Sequence, residues 1–204
     1  MNPDQPLRRA ALGAWLACAV ALAGCSAMTA QNPSSTLRPV NAVPAEGGQA
    51  LMLKGYDVVS YWTQNRHQMG TARHASTWEG VTFWFASAEH KALFDRDPKK
   101  YQPQYGGYCA NGIAYAIPWG GDGDTWRIFD GKLYIFGGAG SRDGFLLDVP
   151  GNIKLADQYW AGEVAGSNSW LQRYKRLVFR VPHYKSGAEV ARLVDEAKAR
   201  GQLK

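Results

Sequence analysis

Two cysteines carry the most specific chemistry in this sequence. Leu22-Ala23-Gly24-Cys25 ends a leader in which Arg8 and Arg9 are the only basic residues and residues 10 to 23 are apolar and rich in small side chains. That run is too short for a comfortable membrane span and reads as a secretory signal followed by a cysteine to be acylated. Acyl chains such as palmitate add about 0.8 kcal/mol per buried methylene, so a multiply acylated Cys25 would hold the chain on a bilayer. Ser26, not aspartate, follows, which fits sorting to a bacterial outer membrane. The Arg8-Arg9 pair leaves general secretion and twin-arginine export both open, and an ordinary cleaved signal with a coincidental cysteine is the competing reading.

With Cys18 in the leader and Cys25 consumed by lipid, Cys109 stands alone and no internal disulfide can form. A single thiol in an oxidising compartment is expected to be buried, bound to metal or used in redox chemistry. Tyr105-Gly106-Gly107-Tyr108 leads into Cys109 just before what reads as a helix start at Ala110, where backbone amides would lower a thiol pKa. That supports a thiol-dependent redox protein. The absence of a resolving cysteine and the readiness of cysteine to act as a small buried hydrophobe weigh against it.

Behind residues 1 to 24 of the 204-residue chain, 180 residues remain, enough for one domain with extensions. Residues 25 to 49 are rich in Ser, Pro, Ala, Asn and Gly and read as a lipidated flexible tether. Residues 50 to 166 form the domain, and residues 167 to 204 a basic extension, partly helical. The net charge of +6 belongs to that extension, which holds nine Lys or Arg against three Asp or Glu. Export excludes nucleic acid as a normal partner, so the cations point to anionic lipid or an acidic envelope protein. Residues 170 to 180 interleave aromatics with cations, as a membrane interface would, although a solvated packing segment is the favoured expectation.

The elements that must position Cys109 begin with Thr77-Trp78 and Val81-Thr82-Phe83-Trp84-Phe85 around Glu79-Gly80, a hairpin pattern. Ser87 caps a helix to about Asp95, and Asp97-Pro98 restarts the chain. Residues 126 to 136 form a second hairpin about Asp130-Gly131. Residues 152 to 162 and 186 to 200 read as helices, the latter capped by Ser186 and ended by Gly201. Hairpins mixed with short helices, without alternating β-α-β units, predict an α+β class.

Four stretches in order, Gly55-Tyr56-Asp57-Val58-Val59-Ser60-Tyr61, residues 78 to 90, Asp97-Pro98-Lys99-Lys100-Tyr101, and residues 103 to 110, resemble the YHS domain family. The resemblance spans about residues 50 to 165 and implies a treble-clef-like core. It also implies metal handling, since related domains bind metal through cysteines. Here the places resembling ligand positions hold Ser60, Ala86 and His90, and His74 falls where the family's name-giving histidine sits. A four-thiolate site within one chain is thereby excluded. A mixed site of His74, His90 and Cys109 remains, with imidazole and thiolate suited to copper or zinc.

Two loops lack the rest of the motifs they suggest. Residues 120 to 124 alternate glycine with aspartate but have no calcium-loop glutamate, and read as a turn. Residues 137 to 144 are glycine-rich but lack Gly-Lys-Ser/Thr and helical periodicity. Trp62, Trp78, Trp84, Trp119 and Trp126 could line a ligand cleft, with core packing the stronger expectation. The sequence therefore predicts an envelope lipoprotein, facing the periplasm from the outer membrane, with a copper- or zinc-binding YHS-like domain and no catalytic residue. A noncatalytic ligand- or protein-binding scaffold and a Cys109 redox protein are the alternatives.

Overall fold

The computed structural model describes residues 40–203. The leader, Cys25 and the first part of the tether lie outside the described residues. The described residues all belong to one compact unit.

The tether ends earlier than its composition suggests. Ala42–Pro44 form strand β1, antiparallel to β2 (Ala50–Met52). Asn41 and Ala42 are buried, and the Asn41 side chain donates to the Gly107 and Gly121 carbonyls at 2.9 and 2.8 Å. Nonlocal pairing orders this stretch despite its weak propensity.

The first expected hairpin is present as β3 (Thr71–Trp78) and β4 (Val81–Phe85). Its turn residues Glu79 and Gly80 have φ of 48° and 78°, the paired positive values a tight hairpin requires. Strand β4 also pairs in parallel with β2 through Leu51 and Thr82, giving the order β1-β2-β4-β3. Between β2 and β3, α1 (Ser60–Thr63) carries Tyr61 into the core. Ser87 caps α2 (Ala88–Arg96) by accepting from the His90 amide, and Asp97 caps α3 (Pro98–Tyr101).

After α4 (Ala110–Ile113), β5 (Asp122–Phe129) and β6 (Lys132–Phe136) make the second hairpin about Asp130 and Gly131. The expected turn at residues 120 to 124 is corrected here. Asp122, Gly123 and Asp124 begin β5, where the Tyr61 hydroxyl donates to the Gly123 carbonyl at 2.6 Å. Strand β6 is buried on both faces. Leu133 and Ile135 enter a core with Val58, Phe83, Phe85 and Phe94, while Tyr134 and Phe136 enter a second with Tyr108, Cys109, Ile113 and Phe145. The two-residue period of a strand thus joins two cores through one element.

The glycine-rich residues 137 to 144, expected to lack a helix, include most of α5 (Ala139–Leu146). Then come α6 (Val149–Tyr159), a π-turn at Trp160–Val164, α7 (Ser169–Val178) and α8 (Gly187–Ala199), the last capped by Ser186. The architecture is mixed α and β with small sheets, compatible with α+β. The basic extension packs on the rest of the fold. Val194 and Ala197 are buried, and Lys198 Nζ lies 2.7 Å from Asp143 Oδ2 on α5.

Candidate functional site

The four-residue α1 places Asp57 just before its first turn. Asp57 Oδ1 accepts from the Val59 amide at 2.9 Å, a local Asx turn that orients the carboxyl group inward. Its Oδ2 accepts from the Ala86 amide at 2.9 Å and lies 2.6 Å from His90 Nδ1. Asp57 is 0% exposed and His90 7%. Capping of α2 by Ser87 fixes where His90 leaves the helix, and the His90 Nε2 faces Thr63 Oγ1 at 3.1 Å and the Gln64 side-chain amide at 3.5 Å. Ser60 Oγ donates to the Asp57 carbonyl at 2.7 Å.

All three positions that the YHS resemblance equates with metal ligands therefore converge on one residue. Ser60 through its hydroxyl, Ala86 through its amide and His90 through its ring each contact Asp57. Asp57 is the residue that reading the sequence missed as a site residue. The signal was its place two residues before Val59 at a helix start, where aspartate folds back on its own backbone.

Cys109 sits elsewhere, in the second core, 2% exposed. Its amide donates to the Trp119 carbonyl at 2.9 Å, and its backbone bridges to Ile135 on β6. Burial pushes the thiol pKa up; the amides of Gly112 and Gly137, the Ser141 hydroxyl and the Asn111 amide pull the other way and lose. Such a thiol is held protonated, the opposite of what nucleophilic or metal-binding thiolates require. His74 lies half-buried on β3.

His90 and Cys109 have separate sets of neighbours. Among the described residues, no group of three or more His, Cys, Asp or Glu side chains stands close enough to hold a metal ion. His74, His90 and Cys109 do not form such a group: the Cys109 thiol lies in the second core and burial holds it protonated, while His90 meets Asp57. His67 is exposed beside Tyr56, and His183 Nε2 bonds the Ala114 carbonyl at 2.8 Å.

Four of the five tryptophans weighed as a cleft pack against the cores, as the stronger expectation had it. Trp62, Trp78 and Trp126 lie against the first core. Trp119 lies against the second and carries the Arg173 guanidinium 5.0 Å above its ring. No helix among the described residues is long and apolar enough to cross a membrane. No family model, curated protein or solved structure matches this chain.

Proposed function

We propose that this chain is a noncatalytic binding scaffold of the bacterial cell envelope, tethered through acylated Cys25, in which a YHS-like domain uses Asp57 where its relatives use a metal. Support comes from one observation: Ser60, Ala86 and His90, the positions equated with ligands, each spend a polar atom on Asp57. A metal in a small treble-clef-like core cross-links a loop to a helix. Here the carboxyl group of Asp57 makes that cross-link, tying α1 to the end of β4 and to α2. With these polar atoms taken up by Asp57, we read the surface as the part of the chain that binds.

Elemental analysis and copper and zinc titration of the full chain, beside its Cys109→Ser variant, test this. Weak binding that is indifferent to Cys109→Ser is expected. Tight one-to-one binding lost in that variant would overturn the scaffold reading and restore a metal-handling role for His74, His90 and Cys109. The tether is tested separately by palmitate incorporation, expected to vanish in Cys25→Ala.

A further inference from the structure

Helix α7 is packed inside out. Its polar positions Ser169, Gln172 and Arg173 are buried. Gln172 Nε2 donates to the Ala116 carbonyl and to Glu163 Oε2, each at 3.1 Å, and Arg173 Nη2 to the Pro118 carbonyl at 2.7 Å. Arg176, one turn on, pairs with Glu163. The opposite face, Trp170, Leu171, Tyr174, Leu177 and Val178, with Phe179 just beyond the helix, is 42% to 68% exposed. Charge-assisted bonds fix the helix by its polar side, so the apolar side is presented outward by construction. A contiguous apolar face of this kind marks an interaction surface.

We propose that this face is a bilayer-docking surface that seats on anionic phospholipid. The choice of a bilayer rests on the envelope-lipoprotein reading above. Two features select it. First, from Ser169 to Ser186 the chain has five Lys or Arg and no Asp or Glu; Lys175, Arg180 and Lys185 are exposed, Lys175 within the helix and Arg180 next to Phe179, although Lys175 also reaches Glu163 at 3.1 Å and Arg180 lies 4.4 Å over the Tyr184 ring. A second copy meeting this face by two-fold symmetry would bring those cations together, whereas anionic headgroups would complement them. Second, only sixteen residues lie between Cys25 and β1 at Ala42, a reach of at most about 60 Å however the chain runs. An acylated Cys25 therefore keeps the face at high effective concentration over the membrane, where modest insertion suffices. Trp170 and Tyr174 stack at 6.0 Å and 12° between planes, an amphipathic aromatic pair suited to the headgroup boundary.

The test uses the full acylated chain reconstituted in phosphatidylethanolamine–phosphatidylglycerol vesicles whose acyl chains carry bromine. The difference between wild type and Trp170→Phe isolates Trp170 emission. Expected is strong quenching of that emission by the brominated chains, protection from aqueous acrylamide, and loss of both in Leu171→Asp/Leu177→Asp, whose positions are exposed and leave the fold intact. Quenching at least twofold weaker in purely zwitterionic vesicles is expected, and equal quenching would overturn the role given to the cations. Trp170 open to acrylamide and insensitive to bromine overturns the proposal. So does Trp170 shielded from both with the chain cross-linking as a dimer, which assigns the face to a second copy. Acylation at Cys25 is read by mass on the same samples. An acylated chain with unquenched Trp170 sinks this proposal alone, and an unacylated chain with quenched Trp170 sinks the tether alone.

Discussion

His90 Nδ1 lies 2.6 Å from Asp57 Oδ2 across 33 positions of sequence, with both side chains withdrawn from solvent. Asp57 Oδ1 and Oδ2 also hold the Val59 and Ala86 amides, so removing the carboxyl group orphans two backbone amides and the His90 ring, whereas removing the ring frees one carboxylate oxygen and the part-buried Thr63 and Gln64 contacts. Asp57→Ala is expected to destabilise by about 3–5 kcal/mol and His90→Ala by about 2–3 kcal/mol. Urea unfolding of both variants checks the order. A smaller loss in Asp57→Ala would mean that the carboxyl group is not the centre of the cross-link.

How much of this was legible in sequence follows from the range of each interaction. Glu79-Gly80, Asp130-Gly131, Ser87 and Ser186 declared two hairpins and two caps because a turn or cap depends on residues within four positions. Strand β1 was illegible because its order comes from β2 and from Asn41 reaching Gly107 and Gly121. Helix α5 was hidden by its glycines, which suit a helix packed under α8 with Gly144 against Val190. The interleaving of aromatics with cations over residues 170 to 180 was visible, but neither helix α7 nor the face that points inward was. That depends on Glu163 and the Ala116 and Pro118 carbonyls, supplied by other parts of the chain. The histidines and Cys109 were legible as types, and their separation was not.

Two glycines make a matched pair for packing. A Cβ on Gly70 would lie 2.3 Å from the Trp84 backbone carbonyl carbon, which cannot move without breaking the strand, whereas one on Gly140 in α5 meets nothing within 4 Å. Gly70→Ala should destabilise by roughly 3 kcal/mol through forced backbone displacement. Gly140→Ala should stabilise by about 0.5–1 kcal/mol by reducing unfolded-chain freedom within a helix. Thermal melts of the two variants should therefore move in opposite directions, and melts moving together would refute the packing described for β3 and β4.

Cys109 should be inert in the folded protein. Burial raises its thiol pKa despite the surrounding amides and Ser141, and at 2% exposure it offers reagent no approach. Iodoacetamide labelling at pH 8, read by mass on the peptide containing Cys109, should be negligible in native protein and complete in urea. Rapid native labelling would revive a thiol-dependent redox function.

Acid should weaken the junctions that hold α7 and α8. Burial pushes the Asp143 carboxyl up, but hydrogen bonds from Lys198 and Arg142 outweigh it and hold the pKa below the ordinary aspartate value. Glu163 is likewise lowered, with bonds from Arg176, Gln172 and Lys175 overcoming burial. A carboxyl group whose folded pKa lies below its unfolded value contributes stability at pH above the unfolded value, about 4, and loses it as pH falls through the folded one. The urea midpoint of wild type should therefore drop below about pH 4. Glu163→Gln should be less stable by roughly 2 kcal/mol at pH 7, and its deficit should shrink as wild-type Glu163 protonates. Because Glu163 holds Arg176, Lys175 and Gln172, the same variant should loosen α7 first, with amide exchange accelerating at residues 169 to 178 ahead of the β-sheets. Midpoint curves of wild type and Glu163→Gln that stay parallel from pH 7 to pH 3 would show that Glu163 does not secure this helix.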